Sequence, residues 1–151
     1  MGAMLGNPSG KIIDLAKSDN SFDNQGVWNN ILTFHCSIGT FDYVEIHHTF
    51  LLEDGQYRIA LSPDGGSTQK FLSPQTTGIN AGDAGEFILR IYRDSSMPSQ
   101  LTCVCTMSST DDFASTFAYD SGITENANIT IQFFNNNGVV YNKTRVFKII
   151  L

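Results

Sequence analysis

The chain is short of charged residues and has no long apolar run, and each shortage excludes a class of protein. Charged residues make up only 16% of its 151 positions. Nine basic residues against 15 acidic ones leave a net charge of −6, which disfavours nucleic acid and anionic membranes as partners because both require a basic surface. No apolar run approaches the ~20 residues of a membrane-spanning helix. We therefore expect no nucleic-acid partner and no insertion into a membrane.

Cysteine is also scarce, with three residues at Cys36, Cys103 and Cys105. An odd number argues against a disulfide framework. Cys103 and Cys105 are two positions apart on a predicted strand, so their side chains run parallel from Cα atoms ~6.6 Å apart, a poor geometry for a disulfide. Cys-x-Cys also lacks the spacing of common zinc sites. We interpret all three as small buried hydrophobes, with a bridge from Cys36 as the alternative.

Helical periodicity of useful length is missing, whereas short runs with the period of two that marks a β-strand recur along the chain. A hydrophobic content of 41% is enough for a folded core, and the length suits one domain. The pattern predicts an antiparallel β-sandwich, jelly-roll-like, of roughly eight to ten strands. We expect a single domain over residues 11–151, preceded at 1–10 by a cloning scar or flexible lead-in. The predicted strands are 11–15, 27–36, 41–52, 56–61, 86–93, 101–107, 113–119, 127–134 and 139–151, with loops at 18–26 and 73–85.

Two turn signals are the strongest local features. In residues 56–72, Tyr57, Ile59 and Leu61 share one face and precede Pro-Asp-Gly-Gly, which predicts a β-hairpin because these residues tolerate positive φ angles. Residues 135–138, Asn-Asn-Asn-Gly, predict a second hairpin between the last two strands. The final strand is apolar on both faces, which favours a central position, with a subunit contact as the alternative.

The adjacent histidines His47 and His48 are the most obvious candidates for metal chemistry. Residues 39–55, which contain them, resemble the metal motif of cupins, but that motif needs His-x-His so that both rings face one metal. Adjacent strand residues point to opposite faces, so we expect one imidazole to face solvent and the other to be partly buried. His35 and Cys36 diverge in the same way and cannot act alone as a base and nucleophile.

The remaining polar candidates are interpreted structurally. Carboxylates at predicted turns usually cap their own backbone, and their spacing does not match an EF-hand loop. The triplets beginning at Asn128 and Asn142 fit the glycosylation pattern but lie on predicted strands. Trp28 is interpreted as a core residue. We predict no catalytic, cofactor-binding or metal-binding residue, no cofactor, and no particular ligand-binding residue. The turn carboxylates are Glu53, Asp54, Asp64, Asp111 and Asp112.

Two segments together resemble β-sandwich domains of phage tail and tail-fibre structural proteins. They are FDYVEIHHTFLLEDGQYRIALSPDGGSTQ, residues 41–69, and ITIQFFNNNGVVYNKTRVFKIIL, residues 129–151. The resemblance implies a structural or attachment role in a virion, and no catalytic residue is implied by it. Residues 73–119 have no counterpart in it.

These features together lead to a functional expectation. We expect a non-enzymatic attachment domain at the virion surface or tail, which recognises a host-surface glycan or protein through loops held by a rigid sheet. Such domains commonly form homo-oligomers, often trimers, together with other virion proteins, because multivalency strengthens attachment. One alternative is a virion structural or assembly module without receptor binding. The other is a carbohydrate-binding module of a cellular protein, located outside the cell.

Overall fold

The protein is all-β in its described part, which a computed structural model defines for residues 10–23, 25–39, 42–52, 55–73, 76–79, 83–93, 100–109, 114–124, 127–136 and 140–151. Eleven strands lie in these ranges. They are β1 (Lys11–Phe22), β2 (Val27–Cys36), β3 (Asp42–Leu52), β4 (Gly55–Ser62), β5 (Phe71–Leu72), β6 (Thr76–Ile79), β7 (Asp83–Arg93), β8 (Gln100–Ser109), β9 (Ala114–Thr124), β10 (Ala127–Asn135) and β11 (Val140–Ile150).

The strands form two antiparallel sheets. The six-stranded sheet has the order β1-β11-β3-β7-β8-β9, and the five-stranded sheet has the order β2-β10-β4-β5, with β6 also beside β4. Without β6, β8 and β9, the orders 1-11-3-7 and 2-10-4-5 remain, which is the winding of an eight-stranded jelly roll. The hairpin β8–β9 therefore widens one sheet of a jelly roll. The predicted all-β, jelly-roll-like sandwich is confirmed, with one strand more than the upper predicted number.

The core lies between the sheets and is built by the alternation visible in the sequence. Every second residue of each central strand is buried, while its neighbours face outward. The final strand, β11, lies between β1 and β3, so its predicted central position is confirmed. Fully buried inward residues include Val44, Ile46, Phe87, Leu89 and Ile91 from one sheet and Tyr57, Ile59, Leu61, Ile129, Ile131 and Phe133 from the other.

The predicted loop at 18–26 is wrong over its first half. β1 continues to Phe22, and its backbone pairs with β11 as far as the partners Phe22 and Val140. As the edge strand of its sheet, β1 bonds a neighbour on one side only and exposes most of its polar side chains. Its strand character comes from β11, so its own polar sequence does not reveal it.

The predicted loop at 73–85 is also wrong in part. β6 lies within it, and β7 begins at Asp83, before the predicted start at Glu86. Backbone pairing with strands elsewhere in the sequence holds both β6 and the early start of β7. β6 pairs with β4, and the first residues of β7 pair with the end of β3. Such pairing leaves little periodic signal in a segment rich in Gly and Thr.

The hairpin predicted at 135–138 is wrong. β10 lies in the five-stranded sheet between β2 and β4, whereas β11 lies in the six-stranded sheet. The connection therefore crosses from one sheet to the other. Turn residues report that the chain reverses direction, but they do not determine whether the two flanking strands pair. By contrast, β4 and β5 do pair on either side of the Asp-Gly-Gly turn, which confirms the hairpin predicted at 56–72.

A bulge in β2 changes which of its first residues face the core. Leu32 is the partner of Ile131 and Asn30 that of Gln132, so Ile31 is an additional residue and turns into the core. The shift places Trp28 outside the buried core, where its ring packs against Phe134 at 5.6 Å between centroids. The prediction of Trp28 as a core residue is therefore wrong.

Candidate functional site

The outer face of the six-stranded sheet carries a trough that runs across five strands. The backbone register aligns Asp19, Lys143, Thr49, Glu86 and Ser108 in one row from β1 to β8. The next row contains Tyr141, Leu51 and Ala84. These residues line a depression of about 560 Å³, which is within the ~300–1,000 Å³ of small-molecule sites.

The trough combines apolar and polar groups in a way suited to a ligand with both. Tyr141 is 50% exposed and Leu51 is 41% exposed, so two large apolar side chains are accessible on this face. Hydroxyl groups come from Thr49 and Ser108, and a carboxylate from Glu86. At one end, Lys143 Nζ lies 3.9 Å from Asp19 Oδ2 in an exposed ion pair.

A polar cluster on the same face adjoins the trough. Glu45, whose side chain is only 10% exposed, accepts a 2.9 Å hydrogen bond from Arg90 Nε, and its other oxygen lies 2.5 Å from His47 Nε2. Phe147 is nearly buried beneath this face, with the His47 ring 5.1 Å away and the Arg145 guanidinium carbon 5.4 Å away. These contacts hold the side chains of the face in fixed positions.

The two adjacent histidines point to opposite faces, as the sequence predicts. His47 lies on the outer face, whereas His48 is fully buried between the sheets, deeper than the partial burial predicted. The ring nitrogens of His48 lie 2.7 Å from Thr144 Oγ1 and 2.5 Å from Tyr57 Oη. Burial lowers the pKa of His48 to about 3, so the ring is neutral near pH 7.

The other chemical candidates are kept apart by the fold. His35 is exposed with Nδ1 3.0 Å from Asn128 Oδ1, while Cys36 is buried in the core. All three cysteines are free and buried, as predicted, without the alternative bridge. Desolvation raises the pKa of Cys36 and of Cys105 to about 12 and raises that of Cys103 as well. Buried thiols with such pKa values are poor nucleophiles.

Asp64 caps the backbone of its own turn, as predicted. Its carboxylate accepts hydrogen bonds from the Thr68 backbone N–H, the Ser62 hydroxyl and the Thr68 hydroxyl, each at 2.8 Å. These bonds lower its pKa, the Thr68 N–H most of all. Of the glycosylation triplets, Asn128 is exposed on β10 and Asn142 is buried on β11, so the folded protein cannot present Asn142 for modification. Glu53, Asp54, Asp111 and Asp112 lie outside the described residues.

Two further properties of the described residues bear on the type of site. Within the described ranges, no group of three or more His, Cys, Asp or Glu side chains is arranged to hold a metal ion. The same part of the chain contains no helix that is long and apolar enough to cross a membrane.

Comparisons with known proteins give little guidance. No protein-family model matches the chain. No curated protein matches it in sequence. Among solved structures, it is similar to the VP2 subviral particle of infectious bursal disease virus, a viral capsid protein, at 12% identity and a TM-score of 0.25. The match covers 94% of this chain and 41% of the VP2 chain. A similarity this low carries no argument about function.

Proposed function

We propose that this protein is a non-catalytic attachment domain of a virion surface and that its outer-face trough binds a glycan of the host cell. The trough on the six-stranded sheet is the observation that carries the proposal. Its position differs from the loops favoured by the sequence, because it is formed by outward side chains near one end of the paired strands.

The chemistry of the trough fits a sugar better than a purely apolar ligand. One face of a sugar ring presents C–H groups that pack on an aromatic ring, and Tyr141 offers a half-exposed ring. The hydroxyl groups around a sugar need donors and acceptors, which Thr49, Ser108 and Glu86 supply. A few polar groups beside an apolar surface are typical of specific ligand sites.

The surroundings of the carboxylates favour binding over hydrolysis. A glycosidase holds one carboxylic acid in an apolar environment, so that it stays protonated and can act as a general acid. In the trough, the Asp19 side chain is 76% exposed and pairs with Lys143. Glu86 is half-buried on an open face. Neither has the enclosed environment that a general acid requires.

The assignment to a virion draws on the scaffold and the resemblance. Jelly rolls are common in viral capsid and lectin domains, and residues 41–69 and 129–151 resemble phage tail and tail-fibre sandwiches. This part of the proposal is an analogy at the level of fold. On this analogy we propose that the domain lies at the virion surface as a homo-oligomer, together with other virion proteins. A virion module without receptor binding and a cellular carbohydrate-binding module are the competing assignments.

A glycan array tests the proposal. We expect the purified protein to bind a limited set of glycans and Tyr141→Ala to lose roughly two- to twelvefold in affinity, because stacking on an aromatic ring is worth roughly 0.5–1.5 kcal/mol beyond the buried area. Leu72→Ala is the matched control, since Leu72 is also exposed but lies on the five-stranded sheet. Its binding should equal that of the unmodified protein.

Three outcomes would count against the proposal. Absence of binding to any glycan would support the structural-module assignment instead. Equal losses in Tyr141→Ala and Leu72→Ala would show that the trough is not the site. Binding restricted to glycans of cell walls or storage polysaccharides would favour the cellular module.

A further inference from the structure

We propose that the same outer face holds a second subsite, a groove beside Tyr43 and Tyr92 that binds an acidic sugar residue carrying a carboxylate or a sulfate. This inference rests on the proposed function, because it names the class of glycan that the face would select. The groove has a volume of about 450 Å³. Its walls include Asp42, Tyr43, Arg90, Tyr92, Arg93 and Val104.

The aromatic part of the groove is fixed by strand register. Tyr43 on β3 and Tyr92 on β7 are direct cross-strand partners, and both are partly exposed. The guanidinium carbon of Arg90 lies 5.6 Å from the centre of the Tyr43 ring. Two tyrosines with a guanidinium held over one of them provide a surface for a sugar ring beside a positive charge.

The positive charge in the groove is available to a ligand. Arg90 uses Nε to bond Glu45. Its two terminal amino groups have no acceptor within the described part of the chain, and the side chain is 58% exposed. Arg93 donates from Nη2 to the Ile38 carbonyl at 2.7 Å, so its guanidinium is already engaged and Arg90 is the cation that the groove offers. A guanidinium binds a carboxylate or sulfate through two parallel N–H groups.

The carboxylates near the groove are already paired. Asp42 Oδ2 lies 3.4 Å from Lys148 Nζ and accepts a 3.0 Å hydrogen bond from the Gly39 backbone N–H. Glu45 contacts both Arg90 and His47. Among the described residues, Asp42 is therefore paired with Lys148 and Glu45 with Arg90. Since Glu45 binds only Nε of Arg90, the two terminal amino groups of Arg90 still face an incoming anion.

The groove and the trough lie on one continuous face. Tyr43 and Thr49 both point outward from β3, six positions apart, which corresponds to about 20 Å along the strand. The polar cluster around Glu45 lies between them. An oligosaccharide of several rings can therefore place a neutral ring on Tyr141 and an acidic ring against Arg90. The face thus selects an acidic glycan, although the whole protein is negatively charged.

The test compares three soluble probes by NMR titration of the folded protein: lactose, sialyllactose and sulfated lactose. We expect the acidic probes to bind about tenfold more tightly than lactose, because hydrogen bonds to a charged partner are stronger than neutral ones. Arg90→Gln should remove this preference, so that the three probes bind with similar affinities. Arg90→Lys, which keeps a charge beside Glu45, should retain part of it. A preference for one acidic probe identifies carboxylate or sulfate as the group recognised.

Arg145→Gln is the matched control, because Arg145 also lies on the outer face in an ion pair, with Asp14 at 3.0 Å. It should keep the preference for acidic probes. Equal affinities for all three probes, or a preference that survives Arg90→Gln, would overturn the subsite while leaving glycan attachment standing. If none of the oligosaccharides binds but free N-acetylneuraminic acid shifts the Tyr43 and Tyr92 amides, and Arg90→Gln abolishes that shift, the subsite stands and the attachment function falls.

Discussion

At the scale of single residues, the buried ring of His48 has a defined protonation pattern. Tyr57 donates its one hydroxyl proton to Asn142 Oδ1 at 2.8 Å. The contact between His48 Nε2 and Tyr57 Oη must then be donated by the imidazole, so Nδ1 accepts from Thr144 Oγ1. A neutral histidine satisfies this chain of bonds from Thr144 to Asn142. This chain of hydrogen bonds connects β3 and β11 of one sheet to β4 of the other inside the core.

This pattern predicts acid sensitivity of the fold. The pKa of His48 is lowered by burial to about 3 from an ordinary value of 6.5, so below pH 6.5 the unfolded chain binds a proton that the folded chain excludes. The contribution of neutral His48 to the free energy of unfolding is fully present above pH 6.5 and is lost as the pH falls towards 3. We expect the free energy of unfolding to fall by about 1.4 kcal/mol per pH unit in that window.

Urea unfolding at several pH values between 7.5 and 4 measures this slope. His48→Gln should lower stability at pH 7.5, because the hydrogen-bonded chain is interrupted, but should flatten the dependence on pH. His35→Gln, which alters an exposed imidazole on β2, is the control and should keep the slope. An unchanged slope in His48→Gln would refute the assignment.

At the scale of strands and turns, the sequence predicts what depends on side-chain alternation. In β4, β7, β8 and β10 the residues that face the core recur at every second position. The sequence shows this period because each of these strands lies inside a sheet and packs one face against the core. The full length of β1 is missed because an edge strand can be polar on both faces. The sequence does not predict that the connection from β10 to β11 passes from one sheet to the other, because Asn and Gly indicate only that the chain reverses direction. The bulge at Ile31 is set by pairing with β10, which no local pattern reveals.

The turn between β4 and β5 allows a matched pair of substitutions. Gly65 and Gly66 have φ angles of 74° and 106°, so alanine is strained at either position. A Cβ at Gly65 would meet open space, whereas one at Gly66 would lie 2.7 Å from Asn30 Oδ1 and 2.8 Å from Gln132 Nε2. These two atoms are hydrogen-bonded to each other at 2.8 Å. We expect Gly65→Ala to lower the free energy of unfolding by about 1 kcal/mol and Gly66→Ala by roughly 1–2 kcal/mol more.

Chemical denaturation of the two variants provides the measurement. The difference between them combines the contact of the turn with Asn30 and Gln132 with the larger backbone strain at Gly66, whose φ angle lies further from the left-handed helical range than that of Gly65. Equal losses would mean that the turn does not depend on its attachment to β2 and β10.

At the scale of the whole molecule, the candidate site could not be predicted because no segment contains it. The trough is formed by residues of β1, β3, β7, β8 and β11, which only the order of the strands makes neighbours. Each of them, taken alone, is an ordinary outward residue of a strand. The sequence indicates the type of surface, polar and weakly charged, but the position of the site follows from register.

The proposed homo-oligomer is also a property of the whole molecule. We expect size-exclusion chromatography with light scattering to give three times the mass of one chain, because several weak glycan contacts must act together for firm attachment. Dilution should lower avidity for a glycan-coated surface only where it dissociates the oligomer. A single-chain mass at all accessible concentrations would contradict this part of the proposal.

The central place of β11 has a consequence for synthesis. β1 and β3 do not pair with each other; they are joined only when β11, made after all ten other strands, enters between them. β10 has the same role between β2 and β4. While the chain emerges from the ribosome, both sheets therefore lack a middle strand and expose unpaired edges that favour aggregation. The two sheets can therefore be completed only after β10 and β11 have been synthesised.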